Sequence, residues 1–155
     1  MSDHMEHLAQ ASHTLVVETS GPGFTEITAE TQDWLRTVAA EEGLLTVFIR
    51  HTSASLTIQE NADPDVRRDL ADALDGLAPE TAAYRHTIEG PDDMPAHIKA
   101  MVTSTSLNVP VRDGRAVLGT WQGLFLIEHR ALPHRREVAL HFLGTRNGGR
   151  GRTQP

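Results

Sequence analysis

Short apolar runs rich in β-branched residues recur along most of the chain, and they predict β-strands. The clearest is LLTVFIR at residues 44–50. The dipeptide Asp113-Gly114 separates two further runs and is a strong signal for a two-residue hairpin. The runs predict strands at residues 13–19, 44–50, 55–59, 107–112, 115–118, 124–130 and 137–143.

Three segments carry apolar residues at helical spacing or a helix-start signal, and they predict helices. In the first, Thr28 is placed to be the N-cap and Gly43 to end the helix. The second starts at Asp63-Pro64, where a capping carboxylate precedes a proline at the first helical position. The third follows an acidic pair in the same way. The predicted helices span residues 29–42, 64–77 and 95–102.

The order of these elements predicts an α+β fold with two or three helices. The last strands follow one another directly, which favours a largely antiparallel sheet over a parallel βαβ array. We expect a single domain over residues 13–144, a loose N-terminus at 1–12 and a flexible Gly- and Arg-rich tail at 145–155. Small domains of this class often bury an apolar sheet face by self-association, so a symmetric oligomer is expected.

The charge of the chain argues against two classes of partner. The 14 Lys and Arg residues oppose 21 Asp and Glu residues, and the formal net charge at pH 7 is −7. Binding to nucleic acid or to an anionic membrane surface needs clustered cations, so neither partner is expected. The apolar runs are too short to span a bilayer. The first ten residues are polar and lack an apolar signal core, which predicts a cytoplasmic protein.

The absence of cysteine excludes disulfides, thiolate metal ligands, cysteine nucleophiles and iron–sulfur clusters. Histidine is abundant by contrast: the chain has nine histidines and a single lysine, Lys99. Imidazole binds metals and exchanges protons near neutral pH, so this ratio directs attention to metal or acid–base chemistry.

Polar residues cluster at the ends of predicted elements, where sites are usually built. The first cluster is HTSAS at residues 51–55, followed by Glu60 and Asn61. A histidine with several hydroxyls can bind a metal, a phosphate or a polar substrate. The alternative is that the hydroxyls bond to nearby backbone at a bend.

The second cluster contains His86 and His97, with acidic residues between them. Histidine and carboxylate ligands suit zinc or another divalent cation. The spacing matches no regular metal-binding motif, and the alternative role for Asp92 or Asp93 is to cap the third helix.

Two more clusters follow near the C-terminus. Trp121 lies between two glycines in GTWQG, where it would stack a ring-shaped ligand or fill a subunit contact. The segment EHR at 128–130 precedes Arg135 and Arg136. Arginine forks pair well with phosphate, and the alternative is an ion-pair network within or between subunits.

Four segments in this order resemble the YjbQ-like proteins, whose members are often labelled secondary thiamine-phosphate synthase enzymes. The segments are HTSASLTIQENADPDVRRDL, YRHTIEGPDDMPAHIKA, VPVRDGRAVLGTWQG and LIEHR with RREV after it. The resemblance runs from about Leu15 to Gly144. It implies an α+β fold with a largely antiparallel, sandwich-like sheet, assembled as a homotrimer, and a polar pocket that contains the family's histidines and acids.

The motif positions of the family, carried onto this sequence, supply three groups of candidates. The candidate metal ligands are His51, His86 and His97; the candidate acid–base residues are Glu60, Glu128 and His129; the candidate substrate-binding residues are Thr52, Ser53, Asn61, Trp121, Gln122, Arg130 and Arg136. Asp92 and Asp93 are motif positions too, without an assigned role.

The activity implied by the resemblance is thiamine-phosphate formation, as a main or a side activity. A thiazole phosphate is joined to a pyrimidine pyrophosphate, and pyrophosphate is released. A divalent metal, Zn²⁺ or Mg²⁺, or arginines would stabilise the departing charge, and Trp121 would stack the pyrimidine. Two alternatives keep the same residues: a metal-dependent hydrolase of a phosphorylated or amide-bearing metabolite, and a small-molecule binding or sensing trimer without turnover.

Overall fold

The structure is a computed structural model that describes residues 7–148. It contains eight strands and three helices within this range. The strands are β1 (Ala9–Glu18), β2 (Gly23–Glu26), β3 (Ala40–Ile49), β4 (Ala54–Glu60), β5 (Ser106–Arg112), β6 (Arg115–Ala116), β7 (Gln122–Glu128) and β8 (Arg135–Arg146). The helices are α1 (Thr28–Thr37), α2 (Pro64–Leu77) and α3 (Asp93–Val102).

The strands form two antiparallel sheets that pack face to face. The larger sheet has the order β1-β8-β3-β5-β6, and the smaller one has the order β2-β7-β4. Leu45 and Phe142 of the larger sheet share one buried core with Leu56 and Leu126 of the smaller sheet. The predicted α+β class, with a largely antiparallel sandwich-like arrangement, is confirmed.

The helices cover the parts of the sandwich that the sheets leave open. Trp34 and Leu35 of α1 join the core between the sheets. Helices α2 and α3 lie against β2 and β4 of the smaller sheet. Phe125 and Ile127 of β7 are buried although they alternate with the core residues, so β7 is buried on both faces.

Strand β1 begins four residues earlier than the apolar pattern indicated. Residues 9–12 are not loose, because they pair with β8 from Ala9 opposite Gly144 onward. Residues 145–146 likewise belong to β8. Pairing across a sheet provides backbone hydrogen bonds that a polar segment cannot reveal by itself. Residues 7–8 and 147–148 belong to no strand or helix, and the rest of the predicted loose terminus and tail, at 1–6 and 149–155, lies outside the described residues.

Helix α1 ends at Thr37, five residues before the predicted end. Ala39 adopts a left-handed conformation with φ of 55°, and the chain then enters β3. Gly43 therefore does not end a helix. It lies opposite Gly144 in the pairing of β3 with β8, where a Cβ on Gly43 would come 2.2 Å from the Leu143 carbonyl oxygen. The two glycines allow a close approach of backbone strands.

Thr28 is also used differently from the prediction. The N-cap of α1 is Ile27, with no side-chain hydrogen bond. The Thr28 hydroxyl instead donates to Glu26 Oε2 at 2.8 Å and accepts from the Leu124 N–H at 2.9 Å, so it ties the helix start to β7.

The two strongest local signals are confirmed. Asp63 accepts a hydrogen bond from the Asp65 N–H at 2.9 Å, with Pro64 in the first turn of α2. Asp113 and Gly114 have φ of 52° and 76° and connect β5 to β6. Two positive φ values are what a type I′ hairpin turn requires.

Candidate functional site

The candidate centre is a cluster of His86, Asp93 and His97. Asp93 and His97 are four residues apart on α3, so their side chains lie on one face of the helix. The loop between α2 and α3 brings in His86. Asp93 Oδ2 lies 2.6 Å from His86 Nε2 and 3.0 Å from His97 Nε2. Both imidazoles therefore converge on a single carboxylate oxygen.

The ring of His97 is oriented from its other side. Its Nδ1–H donates to the carbonyl oxygen of Thr52 at 2.9 Å, because a carbonyl oxygen can only accept. Metal-binding histidines characteristically donate one ring N–H to a backbone carbonyl in this way, which directs the other nitrogen to the ion. Thr52 thus supports the cluster through its backbone, a role that its side-chain chemistry does not indicate.

Arg130 holds the other side of the aspartate. Its Nη1 lies 2.8 Å from Asp93 Oδ1, and its Nε donates to Asp92 Oδ2 at 2.9 Å. Asp92 also accepts from the Ala131 N–H at 2.9 Å, so it occupies the N-cap position of α3 without capping the helix by its side chain. The hydrogen bond to Asp92 raises the pKa of Arg130. The guanidinium is a fixed cation that positions both acids.

Asp93 is ionised in this environment. Burial opposes its ionisation, but the hydrogen bond from His86 and the charges of His97 and Arg130 outweigh that effect and lower the pKa of the carboxyl. Asp93 is 4% exposed, and a buried carboxylate shared by two imidazoles is a strong ligand for a cation.

The cluster fits a divalent cation. Two imidazoles and one carboxylate are a ligand set of zinc enzymes, which keep a fourth position open. The three ligand atoms lie within 4.8 Å of one another. A tetrahedral zinc ion separates its ligand atoms by about 3.4 Å, given bonds of about 2.0–2.1 Å. Small side-chain rotations would therefore bring all three to one ion.

His51, the third predicted ligand, does not join this cluster, and Asp93 takes that place. His51 Nε2 accepts a hydrogen bond from the Glu137 N–H at 2.8 Å. Burial and the charge of Arg136 lower the pKa of His51, which keeps the ring neutral and suited to accepting. His51 lines a shallow cavity of about 230 Å³ beside His97, but its Nε2 is committed to the backbone.

Glu128 and Arg136 form a buried ion pair between the two sheets. Arg136 Nε donates to Glu128 Oε1 at 2.8 Å and Nη2 donates to Oε2 at 2.5 Å. Thr19 also donates to Glu128, and Arg136 donates to Ser53. Burial opposes ionisation of Glu128, but the Arg136 and Thr19 hydrogen bonds outweigh it and lower the pKa of the carboxyl.

This network contains three residues for which the sequence predicted catalytic or substrate-binding roles. Glu128 is 2% exposed and Arg136 is 3% exposed, and both Glu128 carboxylate oxygens and the Nε and Nη2 of Arg136 are hydrogen-bonded. Both side chains are committed to this ion pair, and the Ser53 hydroxyl is engaged with Arg136. The structure places the predicted acid–base residue Glu128 and the predicted substrate-binding residues Arg136 and Ser53 in one buried network, apart from the cluster of His86, Asp93 and His97.

His129 is not part of the cluster of His86, Asp93 and His97. Its Nε2 lies 2.8 Å from the Ser55 hydroxyl, on the α3 side of β7. Burial and the charge of Lys99 lower the pKa of His129 to about 4. The three consecutive residues of the EHR segment therefore lie in different environments. Glu128 lies between the two sheets, His129 lies on the α3 side of β7, and Arg130 contacts the carboxylates of Asp92 and Asp93.

The remaining predicted residues lie at the opposite end of the smaller sheet. Ala54 pairs with Glu128 at one end, and Glu60 pairs with Gln122 at the other. Six residues of strand separate the ends by about 20 Å. Glu60, Asn61, Trp121 and Gln122 therefore do not reach the His86–Asp93–His97 cluster within one chain.

These distant residues are mostly held by local hydrogen bonds. Glu60 Oε2 accepts from the Asp63 N–H at 2.9 Å, and Gln122 Oε1 accepts from the Gly119 N–H at 2.8 Å. The Asn61 N–H donates to the Trp121 carbonyl oxygen at 3.0 Å. The Trp121 residue is 63% exposed, so its ring is accessible although it is far from the cluster.

Reasoning from the sequence named Asp93 as a motif position but did not predict that its carboxylate would lie between His86 and His97. A signal was present: Asp93 and His97 have the i, i+4 spacing of a helix face. The predicted helix started at residue 95, whereas α3 starts at Asp93. With the earlier start, the aspartate falls on the same face as the histidine.

The fold and the cluster together define a class: a small α+β protein with an antiparallel β-sandwich and a histidine–aspartate–histidine centre at one end. The chain belongs to the YjbQ family, since the family model described as "UPF0047 protein YjbQ-like" matches residues 13–145.

Individual relatives agree with this assignment. The UPF0047 protein sll1880 of Synechocystis sp. is 51% identical over 136 residues, which cover 87% of this chain and 92% of that protein. A conserved YjbQ/UPF0047 protein of Clostridium acetobutylicum has a TM-score of 0.78 at 35% identity, covering 84% of this chain and 98% of that chain. A YbjQ-like protein of unknown function from Sulfolobus solfataricus has a TM-score of 0.83 at 22% identity, covering 89% and 99%, and shows the shared fold.

Within residues 7–148, none of the three helices has the length and apolar character needed to cross a membrane. The cytoplasmic location stays a prediction.

Proposed function

We propose that the protein is a metal-assisted enzyme that acts on a small phosphorylated molecule, with His86, Asp93 and His97 as the metal ligands. The convergence of both imidazoles on one oxygen of Asp93 carries the proposal. A divalent cation in such a site supplies positive charge for an oxygen anion that forms or departs. The Thr52 carbonyl and Arg130 hold His97 and Asp93 in place, which favours a preorganised site.

Within that class we propose thiamine-phosphate formation, the activity that the motif resemblance implies. Arg130 is the cation nearest the cluster. Its three contacts with Asp92, Asp93 and the Glu89 carbonyl leave at least two of the five guanidinium N–H groups for phosphate oxygens. The chain's own contribution would then be to hold the metal ligands and to orient a phosphate beside them.

A metal-dependent hydrolase is the second candidate, and the geometry gives it a specific argument. Arg136 is buried in its ion pair with Glu128, and Trp121 lies at the far end of the smaller sheet. Of the residues that the resemblance assigned to phosphate binding by paired arginines and to ring stacking, only Arg130 therefore lies beside the cluster within one chain. Hydrolysis at a metal needs only an activated water and a bound substrate.

One assay separates these functions. The purified protein is loaded with Zn²⁺ or Mg²⁺ and incubated with thiazole phosphate and pyrimidine pyrophosphate, and products are measured by mass spectrometry. We expect thiamine phosphate from the wild type and no product from Asp93→Asn, while Asp72→Asn on the exposed side of α2 keeps full activity.

The other outcomes of this assay are equally informative. Phosphate or pyrophosphate released without thiamine phosphate would overturn the transferase and support the hydrolase. Substrate binding without turnover under either metal would overturn both enzymes and favour a binding or sensing protein.

We propose that the working form is a homotrimer built on the outer face of the larger sheet. Four large apolar side chains point outward on this face and are 38–48% exposed: Val16, Leu44, Phe48 and Leu143. Leu44 and Leu143 are direct cross-strand partners and form one exposed apolar patch. Contiguous apolar surface of this kind is typical of protein–protein interfaces.

Phe48→Asp is expected to dissociate the trimer, because a buried, unpaired carboxylate would oppose the contact. The native mass measured by light scattering should fall from three times the chain mass of 17.0 kDa to that of one chain. Leu77→Asp, at a residue that is 68% exposed on α2, is the matched control and should stay trimeric. A monomeric wild type, or a trimeric Phe48→Asp variant, would contradict the proposal.

A further inference from the structure

The shallow cavity of about 230 Å³ beside His97 has no role in the proposed metal chemistry. It lies between the last turns of α3 and the segment that follows β3. Its lining residues are His51, Thr52, His97, Ala100, Met101 and Thr105. An engineered cavity of about 150 Å³ is enough to bind benzene, so the space beside His97 is sufficient for one ring.

His97 belongs both to the metal cluster and to the wall of this cavity. Its Nε2 lies 3.0 Å from Asp93 Oδ2, and its Nδ1–H donates to the Thr52 carbonyl oxygen, which belongs to a second lining residue. An ion about 2.1 Å from Nε2 would lie within about 8 Å of any atom that touches the His97 ring, given contact distances of about 4 Å. The cavity is therefore near enough to hold the remainder of a substrate whose phosphate lies on the ion.

The cationic side chain of Arg130 lies on the other side of the Asp93 carboxylate. Arg130 Nη1 lies 2.8 Å from Asp93 Oδ1, whereas Oδ2 of the same carboxylate faces His97. The contacts thus run in the order Arg130, Asp93, His97 and cavity. This order places a charge that suits phosphate at one end, and the cavity walls of Ala100 and Met101 at the other.

The cavity itself is apolar and carries no formal charge. Most of its surface is apolar, and its six lining residues include no aspartate, glutamate, lysine or arginine. The His51 ring is neutral, because its Nε2 accepts from the Glu137 N–H at 2.8 Å and so carries no proton. The same hydrogen bond holds the ring in place as a wall. A charged group would lose its water here without gaining a partner, so the cavity favours an uncharged group.

We propose that this cavity binds a single uncharged ring of the substrate and that Ala100 and Met101 set the size of that ring. The substrate class is then a phosphate or pyrophosphate ester of a small ring-bearing alcohol. Thiazole phosphate, one substrate of the proposed transferase, carries such a ring. The inference rests on the proposed metal site, because His97 is the residue that joins the cavity to it.

Two phosphonates that differ in one ring test the proposal. Benzylphosphonate and methylphosphonate present the same anionic group, neither is hydrolysed at its C–P bond, and only the first carries a phenyl ring. Their dissociation constants for the Zn²⁺-loaded, full-length protein are measured by isothermal titration calorimetry. We expect benzylphosphonate to bind about 10-fold more tightly, because burial of about 55 Å² of apolar surface at about 25 cal/mol per Å² gives that factor.

Three variants of α3 locate the ring. Ala100→Leu should fill the cavity and make the two affinities equal. Met101 is 87% exposed, so Met101→Ala removes one wall without loss of core packing and should reduce the preference to about 3-fold. Val102→Ala is the matched control at the next position, which is 56% exposed and is not a lining residue, and it should keep the full preference. If Ala100→Leu is unfolded by circular dichroism, Met101→Ala decides the result.

Methylphosphonate separates a failure of this inference from a failure of the proposed function. It should bind the wild type only when Zn²⁺ is present, and it should not bind Asp93→Asn. Zn²⁺-dependent binding of both phosphonates with equal affinity, or a ring preference that Met101→Ala leaves intact, would overturn the role of the cavity and leave the metal site standing. No Zn²⁺-dependent binding of either phosphonate would overturn both proposals.

Discussion

His97→Asn is expected to weaken Zn²⁺ binding by about 10–100-fold or more. Loss of a group that merely orients a metal ligand costs about 10–100-fold in affinity, and loss of the ligand itself costs no less. The variant removes the only imidazole nitrogen that is aimed by the Thr52 carbonyl. The affinity is measured by competition with a chromophoric chelator, after circular dichroism has shown that the variant is folded.

The same substitution at His51 is the matched control. His51 was predicted as a ligand from the sequence, but its Nε2 accepts from the Glu137 backbone, and the side-chain oxygen of asparagine can accept there too. His51→Asn should therefore bind Zn²⁺ within a few-fold of the wild type. The ligand assignment fails if the wild type binds no stoichiometric ion, or if the two variants lose affinity equally.

Arg136→Met should produce the largest loss of stability among single substitutions near the site. The change leaves Glu128 ionised, 2% exposed and without its bidentate partner. Removing one partner of a buried ion pair costs about 3–5 kcal/mol, because an uncompensated charge stays in the interior. The free energy of unfolding is measured by urea denaturation at pH 7, with all variants at one protein concentration since association shifts apparent stability.

The neighbouring arginine provides a close comparison. The side chain of Arg135 is 60% exposed, and its ion pairs are at the surface, so Arg135→Met should cost about 0–1 kcal/mol. The double variant Glu128→Leu with Arg136→Met should recover most of the lost stability, since no buried charge remains. Equal effects of the two single arginine substitutions would show that Glu128 and Arg136 are not a structural pair.

The sequence predicted those parts of the fold that depend on neighbouring residues. The Asp113-Gly114 turn and the Asp63-Pro64 helix start are decided by the conformations and hydrogen bonds of a few consecutive residues. The antiparallel arrangement followed from the direct succession of the last strands. Where the pattern was wrong, as at Gly43, the missing information was the contact with Gly144 a hundred residues further along.

The candidate site was predicted less completely, for a physical reason. The motifs contained His86, Asp93 and His97, but they contained His51, Glu128 and Trp121 equally well, and nothing local distinguishes a ligand from a structural side chain. Sheet register decides that Trp121 lies at the far end of the smaller sheet, about 20 Å of strand away from Glu128.

The sequence alone therefore determined the class of fold, the family and the set of polar residues from which a site is built. Tertiary structure alone decided which of them meet. The sandwich places Glu128 opposite Arg136 between two sheets, where a charge must be paired. It leaves His86 and His97 on the carboxylate of Asp93, because helix α3 starts early enough to place Asp93 one turn before His97.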